Sequence, residues 1–355
     1  MKSFRFLVVI ILASLVLAAC GGGEEADSKE LNLYGWSEYV PQAMLDKFTQ
    51  ETGIKVNYDA YSSNEELMAK LQAGASGYDV IIPSDYTVSI LAAQGYLEDI
   101  DKAQIPNFNN IDPQFQNMYF DPGNKYTVPY QWGTTALVID TDKVKEPITK
   151  WAQLWDPAFK ERVVMLDDSR EVLGTVLMTL GYDKNSVDPG ELEEAKQKLL
   201  ELMPNIRLFD SDSPKTALLA GEVWLGLTWN GEASQAHKEN PAIQYICPEE
   251  GCGLWVDNLA IPKGAPHKDA ALKFMNFVLD PENSLMITRE FPYSSANLKA
   301  LELLKTDNPA EYEAYMDYTG TNPPPDWLQR AVPAKDIGEA TVLWDQIWTE
   351  VKGGE

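Results

Sequence analysis

Regular patterning of apolar and polar positions begins at Leu31 and runs almost to the C-terminus. Residues 31–34 read as a strand, and between 41 and 52 the residues Met44, Leu45 and Phe48 recur at helical spacing until Gly53 stops the run. Residues 54–58 alternate as a half-buried strand does. Ser63-Asn64-Glu65-Glu66 opens a helix that carries Leu67 and Leu71 to Gly74, and 79–83 is a short apolar run of the buried-strand type. A Pro- and Asn-rich connection over 105–113 leads to 126–130, then through Gly133-Thr134-Thr135 into a strand at 136–139. A helix near 149–155, a strand at 162–166 and a helix at 171–180 follow. Asp188-Pro189-Gly190-Glu191 starts the next helix with a capping acid and a first-turn Pro, and Leu192, Ala195, Leu199 and Leu202 form its apolar stripe. Strands at 206–209, 223–227 and 243–246 bracket helices beginning near Ser213 and Gly231, and amphipathic helices are expected at 268–279 and 338–351.

Strands alternating with helices predict an α/β fold with a largely parallel sheet. A chain of 355 residues is long enough for two lobes with separate cores, and its 45% hydrophobic content excludes disorder. With 29 Lys+Arg against 54 Asp+Glu, the formal net charge of -25 opposes nucleic acid and suits cationic partners, or simply solubility. Lys2 and Arg5 precede an apolar run over 6–18, too short to span a bilayer as a mature helix, which ends at Leu17-Ala18-Ala19-Cys20. This is a signal-peptide pattern. Small residues before Cys20 and a polar stretch after it match the lipobox and tether of a bacterial lipoprotein, so that Cys20 would carry lipid; a plain secretory signal with an incidental Cys is the alternative. In an exported chain, Cys247 and Cys252 favour a structural disulfide over free thiols, and no His or further Cys stands near them to complete a metal site.

Candidate chemistry collects at strand ends, where open α/β sheets bind ligands. Trp36-Ser37-Glu38-Tyr39 follow the first strand, Ser84-Asp85-Tyr86 follow 79–83, Asp167-Asp168-Ser169-Arg170-Glu171 follow 162–166, and Thr228-Trp229-Asn230-Gly231-Glu232 follow 223–227. Within 253–262, Trp255 and Asp257 stand two residues apart, so in a strand they share a face and set a π surface beside a negative charge. Singly, such aromatics belong to cores and such acids cap helices. Together they favour an organic cation with an aliphatic body: an anion site would want more than Arg170, and a sugar site would not want so many acids. Catalysis finds no support, because His237 and His267 lie in polar stretches that read as solvent-exposed and Asp167 and Asp168 point apart on extended chain. There is no phosphate loop, no Gly-x-Ser-x-Gly elbow and no paired-His metal motif. No catalytic residue, metal or cofactor is therefore expected.

The ordered series of Trp36-Ser37-Glu38-Tyr39, Val80-Ile81-Ile82-Pro83-Ser84, Asp167-Asp168-Ser169-Arg170-Glu171-Val172, Trp229-Asn230-Gly231, Trp255-Val256-Asp257-Asn258-Leu259-Ala260-Ile261-Pro262 and Pro292-Tyr293 resembles the bacterial spermidine/putrescine solute-binding family of ABC importers. The resemblance covers the chain from Leu31 onward. It implies a two-lobed periplasmic-binding fold of type II, each lobe a mostly parallel sheet flanked by helices, closing about a two-crossing hinge. The implied division is a signal peptide over 1–20, a tether over 21–30, a first lobe from 31–134 and 256–301, and a second from 135–255 and 302–355. Trp36, Tyr39, Tyr86, Trp229, Trp255 and Tyr293 would then flank a polyamine, Asp168, Glu171 and Asp257 would pair with its amines, and Ser37 and Ser84 would add hydrogen bonds. Glu38, Asp85, Glu232 and Lys335 are further candidate contacts. For Asp85 the alternatives are facing solvent or capping the next helix, and an inward Lys335 would shorten the groove where some relatives place a Gln. The implied partners are the polyamine, an ABC permease and the membrane, with the receptor a monomer; another organic cation such as agmatine or a basic amino acid is the alternative ligand. A ligand bearing an α-carboxylate would call for Arg170 facing the cleft, and an extracytoplasmic enzyme is the remaining alternative.

Overall fold

The computed structural model describes residues 29–74 and 77–353; Cys20 and the segment before it lie outside the described residues. In chain order the elements that position the cleft begin with β1 (Glu30–Trp36), α1 (Gln42–Thr52), β2 (Lys55–Tyr61), α2 (Asn64–Gln72), β3 (Val80–Ile81), α3 (Asp85–Ala93) and the long β4 (Thr127–Asp140). They continue with β5 (Val163–Met165), α4 (Ser169–Thr179), α5 (Pro189–Leu202), β6 (Ile206–Phe209), α6 (Pro214–Leu219), β7 (Leu225–Trp229), α7 (Asn230–Glu239), β8 (Ile243–Ile246) and β9 (Cys252–Ala260). The C-terminal part holds α8 (Lys268–Val278), α9 (Pro281–Glu290), β10 (Ser294–Ser295), α10 (Leu298–Asp307), α11 (Pro309–Asp317), α12 (Pro325–Arg330), β11 (Ala331–Pro333) and α13 (Thr341–Lys352). Capping chemistry read from the sequence is realised locally: Ser63 Oγ accepts from the Glu66 N–H, and Asp188 accepts from the N–H groups of Gly190 and Glu191. The helix expected near 149–155 is instead a 3-10 turn at Trp151–Trp155, where Gln153 Oε1 accepts from the N–H groups of both Thr149 and Lys150.

Among the described residues the strands form one sheet ordered β2-β1-β3-β9-β4-β7-β5-β6, with β8 and β10 on β4 and β11 on β9. The outer parts are parallel, as the alternation requires, and the centre is antiparallel: β4 runs against β9 from Thr127↔Ala260 to Thr135↔Gly253. Those two strands carry the chain between the core of one lobe and the two clusters of the other. One draws on residues of 31–130 and 255–296, and the others on residues of 136–252 and 327–351. The register shifts between Pro129 and Gln131, which leaves Tyr130 as an extra residue of β4 within the pairing.

A third passage of the chain, outside the sheet, corrects one expected boundary. Residue 302 falls inside α10, whose Ala300 and Leu304 stand one turn apart on the same face and pack with Leu285 of α9, alongside Tyr312 and Tyr315. The chain reaches the other side only afterwards, where Tyr318 donates to the Ala233 carbonyl and Trp327 joins the core around Tyr245. Cys247 and Cys252 are joined by a disulfide that closes the turn leading into β9. No helix among the described residues is long and apolar enough to cross a membrane.

The hinge is tightly packed at Gly133. A Cβ there would lie 2.0 Å from Asn230 Oδ1 and 2.7 Å from the Trp255 ring, and Asn230 is fully buried. Gly133→Ala should therefore destabilise the fold by about 1–3 kcal/mol. Urea unfolding checks this, and an unchanged midpoint would show that the hinge absorbs the methyl group.

Candidate functional site

A cleft opens between the two cores at the carboxyl ends of β1, β3, β5, β6 and β7, and β9 forms its floor. Its space, open side included, is about 650 Å³. Trp36, Ser37, Tyr39, Ser84, Tyr86, Asp168, Glu171, Trp229, Trp255, Asp257 and Tyr293, named from the sequence, all line it, as do Asp85 and Glu232. Asn64, Arg170, Ser211, Asp212 and Ala334 complete the lining. Asn64 is the first residue of a helix whose start was legible. Ser211 and Asp212 follow β6, so the strand-end rule applied to that strand finds them.

Asp257 is held by two hydroxyl donors, Tyr39 Oη at 2.7 Å and Ser84 Oγ at 2.6 Å. Burial pushes its carboxyl up to about 7 against the pull of those two donors. Tyr39 thus orients the carboxylate as well as forming wall. Asp168 caps α4, accepting from the Glu171 N–H at 3.0 Å, and it too is pushed up to about 7, by burial first and then by Glu65 and Glu171. Asp85 is only 3% exposed, which rules out the solvent-facing alternative; burial raises its carboxyl to about 8. Its Oδ1 accepts from the next N–H, that of Tyr86.

The aromatics meet edge to face. Trp36 and Trp229 lie 5.6 Å apart between centroids, Tyr39 and Tyr293 5.1 Å, and Trp255 and Tyr293 5.7 Å. At the rim, Ser37 Oγ and Ser62 Oγ both donate to Asp212, at 3.0 and 3.2 Å, and so join the two sides across the mouth.

Two protein cations occupy positions that the sequence does not signal. Lys184, whose side chain is 1% exposed, pairs with Glu171 at 2.9 and 3.1 Å. Glu171, expected to pair with a ligand amine, therefore already has a cation partner within the protein. Gly253 makes room for this pair, since a Cβ there would stand 2.7 Å from Glu171 Oε2 and 2.8 Å from Lys184 Nζ. Lys215 bonds both Glu38 and Glu232.

Lys335 does not enter the groove: its N–H donates to Asn185, its carbonyl accepts from Arg170, its side chain is exposed, and Ala334 takes the lining position. Glu38 likewise stays at the margin, exposed and facing Lys215 rather than lining the space. Arg170 does line the cleft, yet its guanidinium sits over Tyr86 and Trp344 at 5.2 and 4.9 Å and its Nη2 is taken by Asn185 and the Lys335 carbonyl. Asp167 turns away to Lys352. The two histidines are half-buried rather than exposed, because His237 bonds the Ile243 carbonyl and stacks on Tyr318, and His267 pairs with buried Asp79. Neither lines the cleft.

Two lobes joined by paired antiparallel strands, with an acidic, aromatic cleft between them, define an α/β binding protein of the two-lobed periplasmic type. The chain belongs to the bacterial extracellular solute-binding protein family, whose model matches residues 43–318. It is 38% identical over 347 residues to a spermidine/putrescine-binding periplasmic protein of Salmonella typhimurium, covering 97% of this chain and 98% of the other. Among solved structures it is similar to a spermidine/putrescine ABC transporter substrate-binding protein of Streptococcus pneumoniae, at TM-score 0.73 and 36% identity, covering 92% of this chain and 99% of that one. A lipoprotein of Treponema pallidum matches with TM-score 0.77 and 29% identity, covering 91% of this chain and 99% of that one.

Hydrogen bonds to the charged form are what hold Asp257 near 7 rather than higher. Ser84→Ala combined with Tyr39→Phe should raise its pKa by about one unit or more. A carbon-detected NMR titration of the labelled carboxyl reads this directly, and an unchanged midpoint would remove these hydroxyls from the electrostatic account.

Proposed function

We propose that the protein is an extracytoplasmic receptor that captures a polyamine, spermidine or putrescine, in this cleft and delivers it to the permease of an ABC importer. The observation that carries the reading is the charge balance: six carboxylates line the cleft against one guanidinium, and the walls between them are aromatic. A linear polyamine matches both features. Its ammonium groups lose water at a cost of several kcal/mol unless carboxylates replace it. Each cation–π contact returns roughly 0.5–2 kcal/mol, which selects amines with an organic body over inorganic ions.

Asp257, Asp168 and Asp85 supply charge, with Ser84 and Tyr39 fixing Asp257; Glu171, already paired with Lys184, positions its neighbours and accepts further hydrogen bonds. Trp36, Tyr86, Trp229, Trp255 and Tyr293 flank the methylene chain. The lobes close about β4 and β9, and Ser37 seals the rim through Asp212. The names of relatives aligned over nearly the whole chain support the ligand class. A basic amino acid fits less well, because the one guanidinium available for its carboxylate is stacked and hydrogen-bonded within the protein. The receptor works by binding and closure, without chemistry, as a monomer held to the membrane through lipid on Cys20.

Asp257→Asn keeps the shape and removes the charge, so polyamine affinity should fall by more than about tenfold. Titration calorimetry tests it, and near-native affinity would place the ammonium elsewhere. An ammonium beside a raised carboxyl stabilises its charged form and draws its pKa down, so groups still protonated near neutrality release protons on binding. Affinity should therefore climb as pH rises through the range of about 7 to about 8 where Asp257, Asp168 and Asp85 ionise. Calorimetry near pH 7 in buffers of different ionisation enthalpy should register net proton release; none, or uptake, would contradict this charge assignment.

A further inference from the structure

The end of the cleft marked by Glu232 already contains an ammonium, and it belongs to the protein. Lys215, on α6, places Nζ against Glu232 Oε1 and Oε2 at 3.3 and 3.1 Å, against Ser213 Oγ at 3.1 Å, and against Glu38 from the opposite lobe. These contacts satisfy an ammonium, which has three N–H donors to place. Glu232 is 2% exposed and lines the cleft, and Lys215, with 12% of its side chain exposed, holds its ammonium between Glu232 and Glu38. Burial works against the charge on Lys215, and the two carboxylates outweigh it and raise its pKa. Lys215 is therefore a resident cation at neutral pH.

We propose that Lys215 acts as a built-in third ammonium that fills the outer amine position, so that the cleft selects a diamine over a triamine. The inference rests on the polyamine reading and sharpens it. Among the described residues, Glu171 is neutralised by Lys184 and Glu232 by Lys215, while the buried acids Asp257, Asp168 and Asp85 have no lysine of their own within salt-bridge reach. Asp212, exposed at the rim, is held by the Ser37 and Ser62 hydroxyls, so the buried acids left for a ligand cluster at the inner end. A triamine extended toward Glu232 meets a like charge there and has to displace Lys215, breaking its bonds to both lobes. A diamine meets no such obstacle.

The measurement is the ratio of affinities for putrescine and spermidine, by calorimetry, in the wild type and in Lys215→Ala and Lys215→Gln, the second retaining most of the stem should the first fold poorly. The wild type should favour the diamine, and both variants should shift the ratio toward the triamine by about tenfold or more, because Glu232 is then buried without a partner and the third amine supplies one. Adding Glu232→Ala to Lys215→Ala should abolish the gain. Glu38→Gln weakens the link between lobes but leaves Lys215 on Glu232, so it should lower both affinities together. An unchanged ratio in the two Lys215 variants, or a shift in Glu38→Gln as large as theirs, overturns the proposal. A wild type that binds neither amine overturns the polyamine reading itself, whereas diamine binding with an unmoved ratio removes only the role of Lys215.

Discussion

A carboxylate taken out of water without a cation is unstable, and the cleft of this protein holds several. Burial is the leading cause of the upward shift at Asp257, Asp168, Asp85 and Glu232 alike. Everything around them limits that cost without cancelling it. Hydroxyls bond Asp257, a helix N-terminus holds Asp168, and Lys184 and Lys215 neutralise two further acids. The residue of uncompensated charge is what makes the site respond to organic ammonium.

The hinge places that charge where it acts on shape. Asp257 lies opposite Gln131 and Trp255 opposite Gly133, on the two strands that pass between the lobes. One strand therefore supplies a buried acid and an aromatic of the cleft and one of the two sheet connections between the lobes.

The sequence made the frame and the inner wall legible for a physical reason. Strand ends in an α/β sheet are local features, so Trp36, Ser84, Asp168 and Trp229 are found by reading a few residues past each apolar run. Trp255 and Asp257 follow from the two-residue period of a strand. Lys184 and Lys215 do not, since each meets its acid 13 and 17 residues away along the chain, and Lys215 also meets Glu38 across 177 residues. A charged residue on a helix looks the same in sequence whether it faces water or a buried partner. The region from Pro281 to Arg330 carried no periodic signal, because short helices such as α11 bury little and show no sustained apolar stripe. Lys335 misled for the opposite reason: its position along the chain was right, but its backbone, not its side chain, is what the cleft uses.

The rim contact between Ser37, Ser62 and Asp212 has a consequence for time rather than for affinity. These are hydroxyl bonds to an acid at the water's edge, and water can replace each of them at little cost. The mouth can therefore open on a fast clock, while the ion pairs proposed between a ligand and the buried acids would part on a slow one. With the amine on Asp257 as proposed, a molecule that reaches only the mouth leaves at the fast rate, and one that reaches Asp257 stays for the slow one. Dwell time, not entry, then becomes the quantity by which this receptor tells its cargo from the many other cations its surface attracts.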